Sequence, residues 1–198
     1  EFEIRDRYYA QAADVVLAVD GYALKYKFEE LGIKTLCAYT WYNREHYKKK
    51  EGVVKDIDIS FIGICAGESR KKYIDFLEKE GIRVTTYGKG NKNGSIDFNK
   101  MIDVFNRSKI NLNFSGTIYG RHPYKINYNI RQCKGRPSEV ALCGGFVLSE
   151  YAYGIEDMYD VGKEIEIFSN ENELLQKVKY YLQNEMEREK IAENAYTR

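Results

Sequence analysis

DISFIGICAGESRKKYIDFLEKEGIRVTTYGKGNKNGSIDFNKMIDVFNRSKINLNFS, residues 58–115, decides the fold. Three runs of strand length, DISFIG (58–63), RVTTYG (83–88) and KINLNFS (109–115), alternate with two helical stretches, SRKKYIDFLEKEG (69–81) and DFNKMIDVFNRS (97–108). Neighbouring parallel strands need crossover connections, and crossover helices cover both faces of the sheet. The expected class is α/β, a Rossmann-like parallel sheet with helices on both faces.

The pattern continues in both directions. Downstream come a long loop (116–132), a short helix opening at RPSEVAL, strand FVLS, a helical turn around 155–159, strand EIEIF and an amphipathic tail, NENELLQKVKYYLQNEMEREKIAENAY (170–196). Upstream, an apolar run (14–19), a helical stretch (22–31) closed by Gly32 and a second apolar run (33–38) form one β-α-β unit. The Tyr-, Lys- and Asn-rich stretch TWYNREHYKKKEG (40–52) breaks the periodicity and reads as a connection. We therefore divide the chain into residues 1–40, a linker at 41–55 and a main domain at 56–198. The first residues, EFEIRDRYY, lack an initiating Met and the last, EREKIAENAYTR, stop mid-helix, so we read the chain as a piece of a larger protein.

Composition narrows the function classes. The 31 Lys and Arg nearly balance the 30 Asp and Glu, and a net charge of +1 offers no global attraction to nucleic acid or anionic membranes. Any anion site must be local. No apolar run approaches the roughly 20 residues of a membrane span, and we expect a soluble, cytoplasmic protein. Cys37, Cys65, Cys133 and Cys143 form no CxxC pair and have only two histidines to join them, which suggests neither zinc nor a disulfide framework. We expect no metal and no cofactor.

In open parallel sheets ligands gather beyond the carboxyl ends of the strands. The loops after Gly63, Tyr87, Ser115 and Ser149 and the start of the helix at 137–143 are therefore the places to search. Pro137 suits the first helical position, which makes Arg136 the N-cap and puts Glu139 at the third position. Arginine has no side-chain acceptor for the free N–H groups of a helix start. With Arg131 and Lys134 beside it, that start offers N–H donors, a positive dipole end and three cations to a phosphate or diphosphate. Glu139 could accept hydrogen bonds from a ribose cis-diol, although acids also occupy first turns simply to complement the dipole.

KGRPSEVALCGGFVLSEY (134–151), followed by GKEIEIF, ELLQKVKYYL and EREKIAENAY, resembles the CgeB-like, spore-maturation-type glycosyltransferases over about residues 56–198. Their pattern is KGRxFE, a small apolar stretch, CGG, a strand ending in Thr/Ser-Glu, GKEI and a Leu-, Lys- and Tyr-rich helix. The resemblance implies the carboxyl-terminal, nucleotide-sugar-binding half of a GT-B fold. It implies a ribose-holding role for Glu139 and diphosphate contacts from Arg131, Lys134, Arg136 and the Gly63 loop, with Arg70 as a further candidate. It makes residues 1–40 the last β-α-β piece of an acceptor-side domain whose remainder, with any catalytic base, is absent, so that this piece alone is inactive. Ser138 departs from the family's Phe, and the family's His-Thr-aromatic continuation is missing. The implied activity is transfer of a sugar from a nucleotide-diphosphate sugar to an unknown acceptor. Alternatives are a nucleotide-sugar epimerase or hydrolase of the same fold, and a non-catalytic nucleotide-binding module.

Other features carry less. Asp56-Ile57-Asp58 imitates a metal-binding DxD but opens a strand at the edge away from the ligand side, so we assign it no metal. GKGNKNG (88–94) lacks the P-loop spacing and reads as a flexible solvated loop. His122, in the long loop before the basic cluster, and His46 have no acidic or nucleophilic partner at a catalytic spacing. The 18 tyrosines are spread over helices and linkers and read as half-buried packing residues.

Overall fold

The alternation of residues 58–115 builds β3 (Ile57–Ile62), α2 (Glu68–Lys79), β4 (Thr85–Tyr87), α3 (Phe98–Arg107) and β5 (Ser108–Asn113), preceded by α1 (Arg7–Ala10), β1 (Val16–Val19) and β2 (Thr35–Ala38). After them come α4 (Arg136–Leu142), β6 (Val147–Glu150), α5 (Ile155–Met158), β7 (Glu166–Phe168), α6 (Glu171–Gln183) and α7 (Glu185–Thr197). The computed structural model describes residues 6–19, 28–38, 40–65, 68–116 and 131–198. Most of the expected helix at 22–31, and His122 with most of its loop, lie outside the described residues.

β1 and β2 pair in parallel with Leu17 opposite Leu36. The other five strands form one parallel sheet in the order β4-β3-β5-β6-β7. Numbered within that sheet, the order is 2-1-3-4-5, and the chain reverses its direction of travel between β3 and β5. Such a switch point opens a crevice outside the carboxyl ends of the two strands. The stretches that follow Ile62 and Asn113 therefore flank one crevice.

The expected two-sided coverage is present. Ile59, Phe61, Ile110, Leu112 and Phe114 face one way and pack with Tyr73, Leu77, Leu174, Val178 and Ile191 of α2, α6 and α7. On the other face Ile62 and Val147 pack with Ile102, Val104, Phe105, Val140 and Cys143 from around α3 and α4. Full burial of a Leu, Ile or Phe side chain contributes about 1.5–3 kcal/mol, so these two layers supply the main driving force. KINLNFS thus reads as a two-faced strand. Its asparagines are buried but partnered: Asn111 receives Ser60 Oγ at 3.1 Å, and Asn113 donates to Ser149 Oγ at 2.8 Å.

Local signals fix the helix ends. Asp97 caps α3 by accepting the Lys100 N–H at 2.8 Å. Asn170 caps α6 by accepting the Glu173 N–H, and Glu173 reaches back past the cap to the Ser169 N–H. The segment at 41–55 is more than a connection. The Lys50 N–H donates to Asn106 Oδ1 at 2.7 Å, Asn106 Nδ2 donates to the Lys48 carbonyl at 3.0 Å, and Lys49 pairs with Glu193 at 2.6 Å. It is fastened to α3 and α7.

Candidate functional site

At the switch point, one cation bridges the residues after β3 and after β5, and two more join it from the segment before α4. Arg70, in the first turns of α2, donates through Nη1 to the Ile64 carbonyl at 2.9 Å and through Nη2 to the Gly116 carbonyl at 3.0 Å. Lys134, just before α4, donates to the Phe114 carbonyl at 3.1 Å and the Gly116 carbonyl at 2.6 Å. Arg131 pairs through its backbone with Gly116, and its Nε lies 3.3 Å from a Glu150 carboxylate oxygen. Three of the expected donor-binding residues therefore converge on the turn at 114–116.

Glu150 closes this cluster from beneath. At the carboxyl end of β6 it is only 6% exposed, and its carboxylate accepts the Gly116 N–H at 3.0 Å and the Tyr73 hydroxyl at 3.2 Å. Burial, and then the Glu150 charge, push the Tyr73 phenol up to about 12, so it remains a donor at neutral pH. Burial also pulls the Arg70 guanidinium below its ordinary value. Its Nε is buried without a hydrogen-bond partner among the described residues. An orphan charged donor costs at least about 1–3 kcal/mol, and an acceptor that reached it would recover that cost.

α4 begins one residue earlier than expected. Gly135 is its N-cap, Arg136 the first helical residue and Pro137 the second, which moves Glu139 to the fourth position, where its N–H already bonds the Gly135 carbonyl. The cap still lacks a side-chain acceptor, now because it is glycine. A Cβ at 135 would lie 1.6 Å from the Tyr42 hydroxyl oxygen, so any larger residue there requires the Tyr42 ring to move aside.

Arg136 does not join the other cations. It pairs with Glu139 Oε2, lies 3.0 Å from Met101 Sδ and sits over the Phe105 ring at 5.3 Å. Glu139 is half-buried, and its other oxygen receives the Tyr47 hydroxyl at a long 3.4 Å. A carboxylate has about four acceptor positions, so these two contacts leave room for ribose hydroxyls. The Glu139 charge also helps burial push Tyr47 and Cys143 up to about 12. The expected socket is thus two adjoining groups: Arg70, Arg131 and Lys134 around Gly116, and Arg136 with Glu139 against α3 and Tyr47.

The Gly63 loop is built together with GKGNKNG. The Gly63 N–H donates to the Tyr87 carbonyl at 2.9 Å, and its own carbonyl accepts Asn91 Nδ2 at 2.7 Å. Asn91 Nδ2 also reaches the Tyr87 carbonyl, Asn93 reaches the Thr86 carbonyl, and the Cys65 N–H bonds the Lys89 carbonyl. The expectation of a flexible solvated loop holds for solvation, since Lys89, Gly90, Lys92, Asn93 and Gly94 are exposed, but the loop is also pinned to the switch-point loop by amides and close backbone approach. The Gly63 N–H is thus engaged within the sheet, and Gly63 stands where Gly88 approaches it closely.

Asp56 and Asp58 take part in ion pairs with Arg107 at 2.5 Å and Lys109 at 2.6 Å. They lie at the start of β3, at the sheet edge opposite the crevice. Sequence reading did not single out Glu150 or Tyr73 as site residues. Glu150 had a signal, an acid closing a strand at the ligand edge in SEY. Tyr73 had none, because its role depends on the tertiary approach of α2 to β6.

A profile of the glycosyl transferase-like family matches residues 70–198, about two thirds of the chain. No curated protein sequence matches it. Among solved structures, Anabaena HepE in complex with UDP and glucose superposes with a TM-score of 0.71 at 14% identity, over 96% of this chain and 60% of that one. The sucrose-phosphate synthase of Thermosynechococcus elongatus gives 0.69 at 11% identity, over 100% of this chain and 58% of that one. Staphylococcus aureus TarM, in complex with Fondaparinux, alpha-GlcNAc-glycerol and UDP, gives 0.68 at 12%, over 97% and 42%. The chain therefore spans about 60% or less of these proteins. At such identities the likeness establishes the fold, a Rossmann-like half of the GT-B architecture. Among the described residues no helix is long and apolar enough to cross a membrane.

Proposed function

The chain belongs to the glycosyl transferase-like family, and on that premise we propose that residues 56–198 are the donor-binding half of a CgeB-like glycosyltransferase. The whole enzyme moves a sugar from a nucleotide diphosphate to an acceptor that this half does not identify. Residues 1–40 belong, in this proposal, to the acceptor-side domain. The observation that carries the reading is the convergence of Arg70, Arg131 and Lys134 on Gly116 at the switch point, next to the start of α4.

Each group has a chemical task. Arg70, Arg131 and Lys134 meet the diphosphate, whose charge grows as the sugar–phosphate bond breaks. Cations held in place before the reaction stabilise that charge without reorganising. Glu139 accepts the ribose hydroxyls, and Arg136 fixes the orientation of its carboxylate. UDP, named with the HepE and TarM structures, makes uridine nucleotides the first ligands to try.

Calorimetry of the chain with UDP- and GDP-sugars tests the assignment. Glu139→Ala is expected to weaken the donor that binds by about tenfold, the scale of a lost charge-assisted pair of hydrogen bonds. Arg136→Ala is expected to weaken it less, because it disturbs only the orientation of Glu139. Donor binding indifferent to both changes contradicts the proposal.

A further inference from the structure

We propose that Glu150 is a positioning residue for the phosphate end of this site, acting through Gly116 and Arg131. The inference rests on the donor-site reading above and gives a task to a residue that the motif contains without a role.

An acid is out of place here on electrostatic grounds. By Coulomb's law alone, a carboxylate among Arg70, Arg131 and Lys134 opposes an incoming phosphate. Its own surroundings show what it does instead. The side chain is 7% exposed against 30% for Arg131, so the cation, not the acid, is the group open to solvent. One carboxylate oxygen holds the Gly116 N–H; the other receives the Tyr73 hydroxyl and faces Arg131 Nε. Its backbone is fixed as well, since Ser115 Oγ donates to the Glu150 carbonyl at 2.5 Å.

Gly116 is the shared element. Its N–H is held by Glu150, while its carbonyl receives both Arg70 Nη2 and Lys134 Nζ. The N–H and the carbonyl belong to successive peptide groups, so Glu150 anchors the Gly116 residue whose carbonyl receives two cations, and it faces the third directly through Arg131 Nε. Tyr73, stacked on Phe114 at 5.4 Å with its ring nearly parallel, ties the carboxylate to the rigid core. The arrangement is a buried acid that sets where three cations stand.

The two possible effects of neutralising Glu150 have opposite signs. If the acid acts only as a charge, Glu150→Gln strengthens binding of a diphosphate. If it positions the cations, the amide places an N–H where Gly116 or Arg131 also donates, the cluster loosens, and binding weakens. The experiment is calorimetry of the full chain with UDP, GDP and ADP, and with the matching monophosphates, each checked by a thermal melt.

For the diphosphate that wild type binds, Glu150→Gln is expected to weaken affinity about tenfold. The monophosphate, which lacks the outer phosphate, is expected to change less than about twofold. In an Arg131→Gln background the Glu150→Gln loss is expected to shrink, because the two residues act as a unit. Unchanged or tighter diphosphate binding in a cooperatively melting Glu150→Gln overturns the proposal. Should that variant fail to melt cooperatively, Tyr73→Phe decides. Removing only the hydroxyl is expected to weaken the diphosphate about threefold and spare the monophosphate, and equal affinity for wild type and Tyr73→Phe overturns the proposal. Wild type that binds none of the three diphosphates overturns the donor-site reading, and this inference with it.

Discussion

Gly88→Ala probes how the crevice wall is made. Gly88 adopts φ +113°, and a Cβ there would stand 2.2 Å from the Gly63 carbonyl oxygen and 2.8 Å from its carbon. A non-glycine residue at positive φ costs about 1–2 kcal/mol before any contact is counted. To reach ordinary contact the Gly63 carbonyl must retreat by more than about 1 Å, which pulls it from Asn91 Nδ2 and strains the 2.7 Å bond from the Gly88 N–H to the Gly94 carbonyl. Each hydrogen bond lost adds about 1 kcal/mol, for a total of about 3 kcal/mol. Gly94→Ala is the matched control: its φ is +65°, but nothing lies within 4 Å of the added methyl, so only the backbone cost of about 1 kcal/mol applies. In urea melts followed by circular dichroism, with a slope of about 2 kcal/mol/M, Gly88→Ala should unfold about 1 M below Gly94→Ala. Equal midpoints would refute the view that the 88–94 loop is clamped onto Gly63.

Four further outcomes are expected. Phe114→Ala removes a ring that is 1% exposed and 4.7 Å from the Phe61 ring, and should cost about 3–5 kcal/mol in the same melts. Asp97→Ala deletes the α3 cap and should cost about 1 kcal/mol, with full cooperativity retained. Asp56→Ala and Asp58→Ala, which break exposed pairs at the far edge of the sheet, should shift stability by less than about 1 kcal/mol and leave donor affinity unchanged with or without magnesium. Tyr47, Tyr73 and Cys143 are all raised to about 12 in the fold, from ordinary values of 10, 10 and 9. Folding therefore favours their protonated forms; that contribution is complete below pH 9 and is lost as pH rises to 12, so melting temperatures should fall across that window.

The sheet was legible because each strand and helix between 57 and 113 carries its own period in the sequence. The grouping of Lys134, Arg131 and Glu139 around one helix start was readable as well, because all three lie within nine residues of sequence around Pro137; their binding roles belong to the proposal. Three things were not. The helix starts at Arg136, capped by Gly135, which packs against Tyr42, a neighbour more than ninety residues away. The 88–94 loop proved fastened because one asparagine amide meets carbonyls from two strand ends. Glu150 meets the Gly116 cluster only through its burial beside α2 and its bond from the Gly116 N–H. In each case the deciding partner is distant in sequence.

The most direct test of the central claim is a crystal structure of the chain with bound UDP. The account predicts the diphosphate within hydrogen-bond distance of Arg70, Arg131 or Lys134 beside Gly116, and the ribose hydroxyls on Glu139. A nucleotide bound away from the β3–β5 switch point, with the Gly116 cluster untouched, would contradict it.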